Sequence, residues 1–70
     1  MEVREAVLTV LREEAAPLHW TVIQDLALRR GYVDPFVTSD VRGHVLAELA
    51  AAVRDGQIRK GGRGVYVLAG

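Results

Sequence analysis

The chain has 70 residues, half of them apolar, and nine acidic against nine basic residues, so its formal net charge is zero. A chain this short forms one domain with a thin core, and a disordered tail is excluded because it would have fewer apolar residues and a charge imbalance. No apolar run approaches the roughly 20 residues of a membrane span, and the first residues do not resemble a signal segment. The lack of cysteine excludes disulfides and thiol chemistry. We expect a cytoplasmic domain.

Charge is distributed unevenly along the chain. Residues 1–28 carry two arginines against five carboxylates, whereas residues 29–70 carry seven Lys and Arg against four carboxylates. An acidic first part and a basic second part are compatible with attraction to phosphate on one face of the fold. The alternative, that these charges are solvated and have no partner, stays open.

The first predicted element is an amphipathic helix from about residue 2 to 15. Pro17 ends it, because the residue before a proline is displaced from the helical conformation. Residues 18–20 are too few for a helix and predict a short extended segment. The apolar residues that recur at the spacing of one helix face are Val3, Ala6, Val7, Val10 and Leu11.

A second helix is predicted to begin at Thr21 and to stop at Gly31. Thr21 and Gln24 have the spacing of a capping box, in which each side chain bonds the backbone N–H of the other residue. Arginines in the last turn suit the negative end of the helix dipole. The residues expected to be buried are Ile23, Leu26 and Ala27, and the arginines are Arg29 and Arg30.

Asp34-Pro35 predicts a turn before the third helix. Thr38 or Ser39 is expected to cap that helix, with Asp40 in its first turn, and Asp55-Gly56 ends it. Beyond it, residues 57–60 and 65–68 predict two strands joined by a glycine-rich turn at 61–64. The predicted buried stripe of the helix is Val41, Val45, Leu46, Leu49 and Val53.

This order of elements predicts an α+β fold of the winged helix-turn-helix type, a single domain over residues 1–70. The extended segment at 18–20 is expected to pair with the C-terminal hairpin, because a lone two-stranded hairpin is only marginally stable in water. The result would be a three-stranded sheet against a three-helix core.

Three segments resemble HARE-HTH domains, a family of winged helices, and the resemblance covers nearly the whole chain. They are Pro17-Leu18-His19-Trp20-Thr21-Val22-Ile23, then Ala27-Leu28-Arg29-Arg30-Gly31, then Gly62-Arg63-Gly64-Val65-Tyr66-Val67-Leu68. Domains of that family are usually modules of restriction endonucleases, chromatin regulators and the delta subunit of bacterial RNA polymerase. The resemblance therefore implies a role associated with nucleic acid, through contact with DNA or with the transcription machinery. No effector domain accompanies this copy.

In such a fold the third helix is the recognition helix, whose exposed side enters the major groove. Direct readout prefers Arg, Asn or Gln, and this helix offers only His44 and Arg54, with Arg42 on its flank. A small, Ala- and Gly-rich face instead permits close approach of another helix. The residues opposite the apolar stripe are Asp40, Gly43, His44, Ala47, Ala51 and Arg54.

The hairpin turn is the stronger electrostatic candidate. Arg59, Lys60 and Arg63 lie within five residues, where long cationic side chains can reach phosphates or a minor groove. The alternative is a solvated turn whose cations discourage edge-to-edge pairing of strands. The predicted DNA-binding residues are therefore Arg42, His44, Arg54, Arg59, Lys60 and Arg63.

Other conspicuous residues are expected to be structural. Trp20 should pack over the sheet with its indole N–H on a carbonyl, and the aromatic rings of Tyr32, Phe36 and Tyr66 should lie in the core or at its rim. Neither His19 nor His44 has further ligands nearby, so no metal site is predicted. No nucleophile, acid and base can be assembled either, so we expect no enzymatic activity, no cofactor and no small-molecule substrate.

The leading hypothesis is a transcription-associated regulator that contacts duplex DNA through its third helix and the basic hairpin. One alternative is a protein-interaction module that docks on RNA polymerase or another regulator through the Ala-rich face of the third helix and the acidic first helix. Another is a homodimer that binds DNA only when two hairpins add their charge. The zero net charge favours a protein partner, and the basic hairpin favours DNA.

Overall fold

The computed structural model describes residues 1–70 and contains three helices and a three-stranded antiparallel sheet. This α+β arrangement is compatible with a winged helix, as the order of elements predicts. None of the helices has the length and apolar character needed to cross a bilayer. The helices are α1 at Val3–Glu14, α2 at Trp20–Arg29 and α3 at Val41–Arg54, and the strands are β1 at Leu18–His19, β2 at Ile58–Gly62 and β3 at Val65–Leu68.

The sheet has the strand order β1-β3-β2, so the short segment before α2 does pair with the hairpin. Leu18 lies opposite Tyr66 in β3, and Tyr66 lies opposite Lys60 in β2. Facing pairs share one side of a sheet, and Ile58 is on that same side because strand side chains alternate. This side packs against the helices, since Ile58 and Tyr66 are both buried.

The core draws on all three helices, the loop before α3 and the hairpin. The apolar stripes predicted for α1 and α2 are confirmed in outline, although Val3 and Leu26 are only half-buried. In α3 the buried stripe is narrower than predicted and includes Ala52, because a small residue at this position lets neighbouring elements approach. The buried residues are Ala6, Val7, Val10, Leu11, Ile23, Ala27, Val33, Val45, Leu49, Ala52, Ile58 and Tyr66.

The cap of α2 differs from the prediction. The helix begins one residue earlier, at Trp20, and its N-cap is His19, whose Nδ1 accepts the N–H of Thr21 at 3.3 Å. The predicted capping box between Thr21 and Gln24 is therefore wrong, and the Gln24 Oε1 atom is buried without a partner. The physical reason is the pairing of β1, which ends the extended chain at His19 and places Thr21 already inside the first turn.

The cap of α3 also differs. Neither Thr38 nor Ser39 caps it, because the N–H of Thr38 bonds the carbonyl of Asp34 in a separate turn. Asp40 is the N-cap instead, with Oδ1 3.2 Å from the Gly43 nitrogen and a left-handed backbone at φ +49°. Gly43 is required by this cap, since a Cβ atom there would collide with the Asp40 carboxylate.

Arg30 joins α1 to the end of α2. Its guanidinium donates to Glu13 at 2.8 Å and to Glu14 at 2.7 Å, and the Tyr32 hydroxyl donates to the second oxygen of Glu13 at 2.6 Å. The hydrogen bond from Tyr32, reinforced by Arg30, holds the pKa of Glu13 below its usual value of 4.5. The same bond raises the pKa of Tyr32 above 10.0, because the neighbouring carboxylate opposes loss of the phenolic proton.

These shifts predict an acid-sensitive contact. Because the pKa of Glu13 is lower in the folded state, its contribution to stability is complete above about pH 4.5 and is lost as the pH falls through the folded-state value. Glu13→Gln should therefore lower the melting temperature at pH 7, and the difference from wild type should shrink toward pH 3. Thermal melts monitored by circular dichroism across this range measure the effect.

Tyr32→Phe provides the partner variant for this test, since it removes the hydroxyl that lowers the pKa of Glu13. It should flatten the same part of the pH profile. Tyr66→Phe removes a hydroxyl that does not touch Glu13 and should leave the shape of the profile unchanged. An undiminished difference between wild type and Glu13→Gln at pH 3 would contradict this assignment.

Candidate nucleic-acid interface

The turn of the hairpin is hydrogen-bonded to the start of α2. The backbone N–H of Trp20 donates to the carbonyl of Gly64 at 2.9 Å. Gly64 has φ +69°, and a Cβ atom there would lie 2.8 Å from Nε2 of His19 and 3.2 Å from the Trp20 ring. The glycine therefore allows both the left-handed turn and the close approach of two aromatic side chains. We refer to β2, β3 and their Arg63-Gly64 turn as the wing.

Trp20 is half-buried rather than covered by the core, and it does not form the predicted indole N–H bond to a carbonyl. The guanidinium carbon of Arg42 instead lies 5.4 Å from the centroid of the indole ring, within the range of a cation–π contact. The beginnings of α2 and α3 and the turn of the wing thus meet around one aromatic side chain. We call Trp20, Arg42, Arg63 and Gly64 the wing corner.

The wing cations point in different directions. Arg59 lies opposite Val67 and Lys60 lies opposite Tyr66, so these two neighbours are on opposite faces of the sheet. The Lys60 ammonium lies 5.9 Å from the centre of the Tyr66 ring, and Arg63 is in the turn beyond a bulge between Lys60 and Gly62. The wing therefore carries a cation on each face and one at its tip.

Ion pairing leaves these cations free. The carboxylates of Glu13, Glu14, Asp25, Glu48 and Asp55 bind three arginines from the first half of the chain, which are Arg4, Arg29 and Arg30. None of the predicted DNA-binding cations has a carboxylate within ion-pair distance, and all are exposed. Although the net charge of the chain is zero, α3 and the wing therefore carry a local excess of positive charge.

The structure does not bring all six predicted residues together. Arg54 is twelve residues beyond Arg42, which places it about 18 Å farther along the axis of α3. His44 is rotated by roughly 200° from Arg42 and lies over the preceding turn, with Nδ1 3.1 Å from the Asp40 carbonyl oxygen. Arg42 lies over the Trp20 ring, Arg63 precedes Gly64 in the turn that contacts Trp20, and Lys60 and Arg59 are farther along β2.

The outer face of α3 is a shallow depression without base-reading side chains. It is lined by Asp40, Gly43, His44 and Ala47. One of these residues, Gly43, cannot carry a side chain, because the Asp40 carboxylate occupies the space that a Cβ atom would need. We therefore place the candidate interface at the edge of α3 that faces Trp20 rather than on this outer face.

One exposed feature was not predicted from the sequence. Phe36 was expected in the core or at its rim, but its side chain is 98% exposed, and the adjacent Val37 is 81% exposed. The Asp34 carboxylate accepts the N–H of Phe36 at 2.9 Å, and the Asp34 carbonyl accepts the N–H of Val37 at 3.1 Å. We call Phe36 and Val37 the apolar turn. The Asp34-Pro35 turn signal predicted the bend but not the side chains it exposes.

The packing of Gly64 leads to a direct test with Gly31 as its matched control. Both glycines have nearly the same left-handed conformation, φ +69° and +72°, but only Gly64 has atoms close to its missing side chain. Gly31→Ala should therefore cost only the backbone strain, about 1 kcal/mol. Gly64→Ala should cost roughly 1–3 kcal/mol more, because His19 and Trp20 must move. Urea unfolding measures the free energy of unfolding of both variants. Equal losses of stability would show that His19 and Trp20 do not restrict the space at Gly64.

Comparison with known proteins adds no relative to these observations. No family model matches the chain, and neither a curated protein nor a solved structure matches it. The similarity of the Trp20 segment and the closing strand to HARE-HTH domains thus stays a prediction, and function is argued from the geometry of the wing corner and its surroundings.

Proposed function

We propose that this chain is a winged helix-turn-helix domain of the HARE-HTH type that binds duplex DNA and acts as a transcription-associated regulator in the cytoplasm. The observation that carries the proposal is the set of unpaired, exposed cations on α3 and the wing. Elsewhere in the chain most arginines are held by carboxylates. Lys and Arg without internal partners are the groups that replace counterions along a phosphate backbone.

The wing has a shape that suits a groove. Arg59 and Lys60 are on opposite faces of the sheet and Arg63 is at the tip. Arg59 on the open face and Arg63 at the tip can contact one phosphate strand of a groove, and Lys60, exposed on the side next to the helices, can contact the phosphate strand nearer to the helices. We assign these three side chains to phosphate contacts, and we assign the start of α3, beside the wing turn, to orientation on the duplex.

The assignment predicts the salt dependence of binding. Three phosphate contacts give a slope of about −2.7 for log K against log salt, so binding should weaken roughly 40-fold between 50 and 200 mM salt. Replacement of Arg59, Lys60 or Arg63 by Gln should make the slope shallower by about 0.9 each. Fluorescence anisotropy with a labelled mixed-sequence duplex across a salt series measures the slope.

Arg12→Gln is the matched control, since Arg12 is an exposed arginine without an ion pair in α1, outside the wing and α3. It removes the same charge but should leave the slope unchanged. Thermal melts of all four variants should coincide with wild type, because isolated surface charges contribute little to stability. Wing variants that keep the wild-type slope would refute phosphate binding by the wing.

The apolar turn favours a second candidate function, a protein-interaction module. A fully exposed aromatic side chain in an ordered turn is typical of residues that anchor an interface. Asp34 and Asp40 flank it, and residues 31–41 contain no Lys or Arg. The acidic side of α1 is a poorer candidate than the sequence suggests, because Glu13 and Glu14 are bound to Arg30.

One kind of protein interaction, the formation of a homodimer, can be measured directly. Phe36→Ser should leave the melting temperature within the range of ordinary surface substitutions, because the ring packs against nothing. If the chain forms a homodimer through the apolar turn, sedimentation equilibrium should show a monomer for Phe36→Ser. The control Ala47→Glu alters the exposed face of α3 and should keep the wild-type state. Dissociation by Ala47→Glu alone would place the contact on the Ala-rich face instead.

A further inference from the structure

We infer that Arg42 reads a guanine in the major groove, so that the preferred duplex carries this base opposite the start of α3. The inference rests on the proposed binding of duplex DNA and adds sequence preference to it. Arg42 is the second residue of α3. Recognition helices of helix-turn-helix domains contact base edges with their N-terminal residues, so Arg42 is at the position from which such a contact is made.

The guanidinium of Arg42 is positioned before any ligand arrives. Its carbon lies 5.4 Å from the centre of the Trp20 ring, and that ring packs against the turn at Gly64. A long side chain that is held in one place loses less conformational freedom when it binds. A cation–π contact of this kind uses none of the guanidinium N–H groups as hydrogen-bond donors, so they remain available to a ligand.

The donors of Arg42 have no partner within the chain. The nearest carboxylate in sequence, Asp40, accepts the N–H of Gly43 as the helix cap. The guanidinium of Arg4, by contrast, donates hydrogen bonds to Glu48, Asp55 and Gln57. An arginine whose N–H groups have no internal partner can make a bidentate contact with a ligand. The N–H groups of Arg4, in contrast, join α1 to α3 and to its C-terminal end.

Guanine is the base that fits this donor edge. In the major groove it presents two acceptors, N7 and O6, whose spacing matches the fork of a guanidinium. Adenine places a donor beside N7, and cytosine presents a donor, so neither offers the same pair. The depression near the start of α3 is lined by Asp40, Gly43, His44 and Ala47, none of which is an Arg, Asn or Gln. Arg42 is therefore the residue from which we expect base preference.

In this arrangement Trp20 is a positioning residue for Arg42. Its ring does not need to touch the duplex, because it acts by holding the guanidinium plane. Trp20→Leu removes the aromatic face and keeps an apolar side chain at a half-buried position. It should weaken the preference for guanine, while the wing cations and the salt dependence that they confer are unaffected.

The experiment begins with selection of the tightest duplex from a random 14-base-pair pool by the wild-type chain. The selected duplex is then synthesised with 7-deazaguanine, which lacks the N7 acceptor, at each guanine in turn. We expect one position at which this substitution weakens binding roughly tenfold. Arg42→Ala, which removes the guanidinium donors, should bind the unmodified duplex more weakly and should no longer distinguish it from the 7-deaza duplex.

Arg63→Gln is the matched control, because it also removes an exposed, unpaired arginine of the wing corner. It should weaken binding to both duplexes equally and keep the tenfold ratio between them. Circular dichroism melts of every variant exclude unfolding as the cause of any change. Trp20→Leu, if folded, should reduce the ratio and keep the salt slope, a result that a merely structural role for the ring does not produce.

The outcomes separate this inference from the proposed function. If the wild type binds duplex DNA with the expected salt slope but no guanine position responds to 7-deazaguanine, the guanine contact is refuted and DNA binding stands. A ratio that persists in Arg42→Ala assigns the contact to another residue and also overturns the inference. If no duplex binds, the proposed function fails and the guanine contact fails with it.

Discussion

The two-residue strand β1 is the constraint on which the rest of the structure depends. Leu18 and His19 pair with β3, and without them the hairpin would be an isolated two-stranded ribbon, which is only marginally stable in water. The same pairing directs the chain so that Trp20 bonds Gly64 and His19 caps α2. The pairing of β1 therefore acts together with the burial of Ile58 and Tyr66 in the core to hold the wing against the helices, and it brings the wing turn to Trp20.

The main consequence of the ion pairs is that the cations of α3 and the wing have no carboxylate partner. Their contribution to stability is smaller. Arg4 connects α1 to Glu48 and Asp55, and Arg30 connects α2 to Glu13 and Glu14. Exposed pairs of this kind each contribute little to the free energy of unfolding. Together, however, the ion pairs occupy five carboxylates, and two of these, Glu48 and Asp55, lie in α3 and at its end. The cations of α3 and the wing then have no internal partner, although the chain as a whole has no net charge.

The sequence predicted the elements well, because helix periodicity and turn residues are local signals. The three helices, the hairpin and the pairing of residues 18–19 are confirmed. The caps were predicted less well, since the choice of His19 over Thr21 and of Asp40 over Ser39 depends on tertiary contacts and a neighbouring turn. Contacts between distant residues, such as Arg42 on Trp20, have no local signature. The exposure of Phe36 was missed for the same reason, because an apolar residue carries no sign of where its turn points.

The apolar turn and the wing corner are close in sequence, since only five residues separate Phe36 from Arg42. Asp40 lies in that short segment and Asp34 lies just before Phe36, and negative charge opposes the approach of phosphate. A duplex oriented by Arg42 and the wing would therefore keep its backbone away from Phe36. Under the proposed function, the exposed cations of α3 and the wing suit nucleic acid, whereas the apolar turn, flanked by Asp34 and Asp40, suits a protein partner.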